Sequence, residues 1–176
     1  MLLYRKLTDA KAAMAEFGWL RLPAVKTYIK INMDTNLKGK ITELEVMSYV
    51  IKKGYSVSTP FGDKDRYDQI WDINGQLYRV QVKTPHLYTK NTGVAIKFKC
   101  SGTSNGRTTT YTKKDIDYFA TYWDGRVYVV PVEECSSRKV LRFESTVNQP
   151  SMCWICWAKN YTFVASILHR LPHMAE

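Results

Sequence analysis

Asn74-Gly75 lies between two segments that alternate apolar and polar residues, "YDQIWDI" before it and "QLYRVQV" after it. No other feature constrains the fold as strongly. Both central residues of a type I′ turn need φ > 0, and Asn-Gly supplies that between two strands. A two-residue loop sets Ile73 opposite Gln76, Trp71 opposite Tyr78 and Asp68 opposite Gln81. A three-residue loop with a bulge would shift this register by one. Side chains alternate along a strand, so Gln81 and Lys83 share a face. Opposed residues have Cβ atoms about 4.5–5.5 Å apart and diagonal ones about 7–8 Å. Asp68, Gln81 and Lys83 are therefore expected to converge at the open end of the hairpin.

Upstream, "GKITELEVMSYVIKKGY" (39–55) has helical spacing. Glu43, Met47, Val50 and Gly54 form a stripe that Leu44 and Ile51 widen, and Gly54 ends the helix as its C′ residue. Glu43 is then an inward carboxylate, which is costly unless paired with a lysine or bound to a cation. Glu45 groups with Ser48, Tyr49 and Lys52 on the polar side. Laid on the sheet, the helix brings Glu43 to Asp68, Gln81 and Lys83. Such a set has the parts of a metal-assisted phosphodiesterase: oxygens to hold a divalent cation, and positive charge beside the phosphate. Magnesium takes oxygen ligands at about 2.0–2.1 Å and keeps several waters, so two or three protein ligands suffice. Asp68 offers an anionic oxygen, Gln81 a neutral carbonyl, and Val82 its backbone carbonyl. Lys83 can orient or deprotonate water, or neutralise phosphate.

Charge agrees with this chemistry. The 176 residues, a length suited to one domain, carry 26 lysines and arginines against 16 acids, a formal net charge of +10. That excess points to a polyanion, nucleic acid first and an anionic membrane surface second. No apolar run approaches the ~18–20 residues of a membrane span. The opening residues lack a signal peptide's apolar core and cleavage site, so a cytoplasmic setting is expected. Cys153 and Cys156 have zinc or redox spacing, but no second pair follows, and their flanks suit buried thiols.

Elsewhere, residues 8–20 read as a helix and Met33–Asn36 as a polar linker. "YSVSTP" (55–60), 94–99, 126–132 and 139–143 read as strands, and 101–110 as a Gly/Ser/Thr/Asn loop. "KKDIDYFATYW" (113–123) reads as a helix with Ile116, Phe119, Ala120 and Trp123 inward, and "YTFVASILHR" (161–170) as a closing helix. The class is α/β, a mixed sheet flanked by helices.

With Gly39-x-x-x-Glu43, "GYSVSTPFGD" (54–63), "RYDQIWD" (66–72) and "LYRVQVKT" (77–84), the chain resembles the PD-(D/E)xK nuclease superfamily. More narrowly it resembles its group I intron-associated endonucleases, and more distantly the archaeal Holliday junction resolvases. "YTKKDIDYFATY" (111–122) and "VYVVPVEE" (127–134) are similar to the family's later segments. The resemblance spans about residues 36–170 and implies a restriction-endonuclease-like core over 36–176 behind an N-terminal helical extension, 1–35. It implies a magnesium-dependent endodeoxyribonuclease of homing type, with manganese as a substitute metal. Catalysis would fall to Glu43, Asp68, Gln81 and Lys83, with metal held by Asp68, Gln81 and Glu43. The alternatives are a junction-resolving nuclease and an inactive DNA-binding descendant.

Gln81 departs from the family pattern, which has Glu or Asp there; the reading is of an active variant. Double-stranded or branched DNA would meet Lys38, Lys40, Lys64, Arg66, Arg79, Lys90, Lys97, Lys99, Arg107, Lys113 and Lys114. Cutting two strands implies a homodimer or higher homo-oligomer. LAGLIDADG, GIY-YIG and His-Asn-His arrangements are absent, as are a P-loop and GxGxxG. A pure binding module would explain the charge but not Glu43 facing the hairpin.

Overall fold

Alternation and turn chemistry build a sheet around the Asn-Gly hairpin. The computed structural model describes residues 34–62, 64–89, 93–104, 106–144 and 155–168, with the side chains of Thr103, Ser104, Arg107 and Leu168 left out. Helix α1 spans Thr35–Lys52, with Asp34 at its N-cap position. Ten strands follow among the described residues: β1 Ser56–Ser58, β2 Gln69–Ile73, β3 Gln76–Val82, β4 His86–Tyr88, β5 Ala95–Lys99, β6 Ser101–Ser104, β7 Arg107–Thr110, β8 Tyr118–Trp123, β9 Arg126–Pro131 and β10 Arg138–Arg142. The main sheet has the order β1-β2-β3-β8-β9, a second sheet β10-β5-β4, and β6-β7 form a separate ribbon. β3 and β8 run parallel and the other pairs of the main sheet antiparallel, giving the expected mixed sheet.

The hairpin register is the one the two-residue loop requires, with Ile73 opposite Gln76 and Trp71 opposite Tyr78. Asn74 and Gly75 take φ of 55° and 83°, the left-handed pair a type I′ turn needs. The same device recurs at Asp124-Gly125, with φ of 48° and 77°, joining Trp123 to Arg126.

That second turn corrects the sequence reading of 113–123. Tyr118–Trp123 is a strand, not a helix. It is central and buried on both faces, so its apolar residues run together and imitate helical spacing. Phe119 packs with Ile96, Phe98, Ile116 and Val130 on one side of the sheet, whereas Ala120 packs with Val46, Val50, Val80 and Val82 on the other. The sheet is thus sandwiched between α1 and the β10-β5-β4 sheet.

Three further expectations change. The loop 101–110 is the β6-β7 ribbon. The closing helix reduces, among the described residues, to a 3-10 turn at Ala158–Tyr161 and a π-turn at Val164–Leu168. The linker at Met33–Asn36 overlaps α1, which has begun by Thr35. Gly54, at φ 89°, does end the helix as its C′ residue. The expected N-terminal extension lies outside the described residues up to Met33, as do Lys90 and Cys153.

Candidate active site

Helix α1 buries Thr42, Val46 and Val50. Glu43 and Met47 lie at the edge of that ridge, while Leu44 and Ile51, expected inward, are 62% and 51% exposed. The Glu43 side chain is 27% exposed and pairs with Lys40 at 3.0 Å, the salt bridge that the sequence left open as its explanation. Two contacts fix the helix over the hairpin. Buried Gln69 donates through Nε2 to the Glu43 carbonyl at 2.7 Å while its Oε1 accepts from Trp71 Nε1 at 2.9 Å. Thr42 and Thr84 hydroxyls meet at 3.3 Å, one residue beyond Lys83.

The ladder ends at Gln69 opposite Val80, and just beyond it the Asp68 N–H also turns to Val80, donating to its carbonyl at 2.9 Å. Asp68 Oδ2 accepts from the Val82 N–H at 2.8 Å and from Gln81 Nε2. The Lys83 N–H donates to the Ala120 carbonyl at 2.8 Å, so β8 holds the strand end that carries the lysine. Asp68 and Gln81 thus meet directly through their side chains, with Lys83 beside them.

Burial raises the Asp68 carboxyl to about 6; the Glu43 charge pushes the same way, against the Val82 N–H and the Lys83 and Lys40 cations. Burial lowers the Lys83 ammonium, and the charges of Asp68, Cys100 and Glu43 pull it partly back. Glu43 therefore shares the field of Asp68 and Lys83, although its direct partner is Lys40. The carboxylates of Asp68 and Glu43 and the Val82 carbonyl offer oxygen donors of the kind hard divalent cations take, while the Gln81 amide as oriented turns its nitrogen to Asp68 and its oxygen to Tyr111. No cluster of three His, Cys, Asp or Glu side chains occurs among the described residues. The set fits a cation that keeps much of its water.

Sequence reasoning passed over Tyr111. Its hydroxyl donates to Gln81 Oε1 at 3.1 Å. Lys83 Nζ lies 5.2 Å and the Arg66 guanidinium 4.7 Å from its ring centroid. Gln69, which ties helix to hairpin, was also missed. Neither had a local spacing signal, because both act through tertiary contacts.

The expected DNA-contacting residues divide. Lys38, Lys64, Lys99 and Lys114 are exposed. Arg66 instead braces the site, donating to Asp115 at 2.9 Å and to the Thr110 carbonyl at 2.7 Å. Arg79 bonds the Lys113 carbonyl at 2.9 Å and sits 3.5 Å from Asp117. Lys113 pairs with Glu133 at 2.6 Å, and Lys97 lies over the Tyr88 ring at 5.0 Å.

Residues 33–164 match the family model described as PD-(D/E)XK endonuclease. The chain belongs to that family. Among solved structures it is similar to a bacterial homing endonuclease, I-Ssp6803I, at 26% identity and a TM-score of 0.57, covering 74% of this chain and 89% of that one. No curated protein sequence matches it. The α/β core with its mixed sheet is the one expected of the family, and membership makes the chain a DNA endonuclease by class. Among the described residues no helix is long and apolar enough to cross a membrane.

Proposed function

We propose that the chain is a magnesium-dependent DNA endonuclease of homing type, active as a homodimer or larger homo-oligomer, with manganese able to replace magnesium. The observation that carries the reading is the meeting of Asp68, Gln81 and Lys83 at one end of the hairpin, beneath the Glu43 turn of α1. Asp68, Gln81 and Glu43 would hold the cation, which polarises water and offsets the charge that develops on phosphate. Lys83 meets the phosphate as a compact ammonium. Burial lowers its proton affinity, which makes it a better partner for the attacking water. Asp68 must give up its proton to bind a cation, so cation affinity should weaken as pH falls through about 6.

Exposed Lys38, Lys64, Lys99 and Lys114 supply charge for the DNA backbone. The test is cleavage of supercoiled plasmid, linear duplex and four-way junction DNA with magnesium, comparing the native chain with Asp68→Ala and Lys83→Ala. Both variants should bind DNA and fail to cut. Full activity in both sinks the assignment. Preference for the junction would favour the resolvase alternative, and binding without cutting in every metal would favour the inactive descendant.

A further inference from the structure

The Gln81 amide has an accepting end and a donating end, and its present orientation puts the donating end on Asp68. Nε2 also lies 3.4 Å from the Val82 carbonyl, while Oε1 accepts from the Tyr111 hydroxyl at 3.1 Å. A cation shared with Asp68 needs the oxygen, not the nitrogen, on that side. We infer that Tyr111 is a positioning residue whose hydroxyl serves both orientations of the Gln81 amide and so lets its oxygen turn toward Asp68 when a divalent cation binds.

A phenol both donates and accepts. It donates to Oε1 now, and accepts from Nε2 once the amide has turned. Gln81 is 7% exposed, so either end left without a partner carries a desolvation cost. Phenylalanine would leave the oxygen bare before the turn and the N–H bare after it, and a buried N–H without a partner is the costlier of the two, so the loss falls more heavily on the cation-bound state. A Glu at position 81 would have oxygen on both sides and no turn to make. Gln81 and Tyr111 therefore act as a pair.

The ring is held from several directions. It packs edge-on against Phe119, with centroids 5.3 Å apart and planes at 83°. The Arg66 and Lys83 cations lie against it at 4.7 and 5.2 Å. A Cβ built on Gly102 of the β6-β7 ribbon would stand 3.2 Å from the hydroxyl, 3.5 Å from Cε2 and 2.9 Å from Thr109 Oγ1. The absence of a side chain at Gly102 is what lets the ribbon approach the phenol this closely. The ribbon, the expected loop that contacts DNA, thus reaches the metal-side amide through a single hydroxyl.

This inference rests on the nuclease reading, and the experiment separates the two. Calcium is titrated calorimetrically into the chelator-treated full chain, without DNA. Asp68→Ala should abolish saturable binding. Tyr111→Phe, which keeps the ring, should weaken calcium binding roughly 2- to 10-fold, the worth of one buried hydrogen bond. In a Gln81→Glu background the same change should not weaken it. Gly102→Ala, which crowds the hydroxyl, should reproduce the loss with the phenol still present. An unchanged affinity in Tyr111→Phe and Gly102→Ala, or an equal loss in both backgrounds, overturns the role of Tyr111 while Asp68→Ala still upholds the metal site. Failure of the native chain to bind calcium overturns both.

Discussion

Asp68→Asn should make the metal-free protein more stable while abolishing its cleavage. The native carboxyl is held at about 6 against an ordinary 3.8. A group with a raised folded-state pKa binds its proton more tightly when folded, so its contribution to stability is full below the ordinary value. That contribution is lost as pH rises through about 6. Above that pH the fold carries a desolvated charge next to Glu43. At 1.36 kcal/mol per pH unit the penalty is at most about 3 kcal/mol. Asparagine removes the charge, and its oxygen can still accept from Val82 N–H and Gln81 Nε2, the two donors that now share Oδ2. It gives up attraction to Lys83, so a net gain on the order of 1–2 kcal/mol is expected. Urea unfolding in chelator at pH 8 and pH 4.5 measures it. The gain should be present at pH 8 and shrink at pH 4.5, where the native carboxyl is protonated in the folded state. Calcium should stabilise the native chain and not the variant. A loss of stability at pH 8, or a gain independent of pH, refutes the reasoning.

Gln81→Glu should keep cleavage with magnesium, because it adds an anionic oxygen at the same point of β3; a plasmid assay across magnesium concentrations checks this, and complete loss would mean that the neutral amide is required. Truncation to begin at Met33 should leave the nuclease fold intact, since Met33–Glu176 form a compact unit of their own. A thermal melt tests it, and a large fall in midpoint would make residues 1–32 integral. Lys64→Ala and Lys114→Ala should each reduce the salt dependence of DNA binding by about 0.9 in the log–log slope. Arg66→Ala should leave that slope nearly unchanged and lower the cleavage rate, because its guanidinium is occupied by Asp115, Thr110 and the Tyr111 ring; binding isotherms at several salt concentrations distinguish the two kinds of residue.

What the sequence made legible follows how local its causes are. The hairpin register was readable because Asn74 and Gly75 alone decide it, and three candidate residues came with it. Asp124-Gly125 carries the same information, yet Ile116, Phe119 and Ala120 have helical spacing, and a strand buried on both faces has no alternation to contradict that. Helix α1 was placed correctly but rotated by one ridge. Thr42, a polar residue, faces inward because its hydroxyl donates to the Lys38 carbonyl at 2.8 Å and meets Thr84. Leu44 faces out despite being apolar. Tyr111 was unreadable because its partners, Gln81, Phe119, Arg66 and Gly102, come from four separate stretches of chain.

The parallel pairing of β3 with β8 also bears on when this enzyme first becomes competent. The Asp68–Gln81 part of the candidate site belongs to a hairpin closed by two residues, a structure that forms in about 1–10 μs. The strand that anchors Lys83 arrives only after the crossover from Val82 to Tyr118, which contains β4 to β7. Loop closure of that length delays the pairing and raises contact order. Until Ala120 has been synthesised, the Lys83 N–H lacks the carbonyl that holds it in the finished fold. With this connectivity, the proposed site is complete only once β8 has been made and paired with β3.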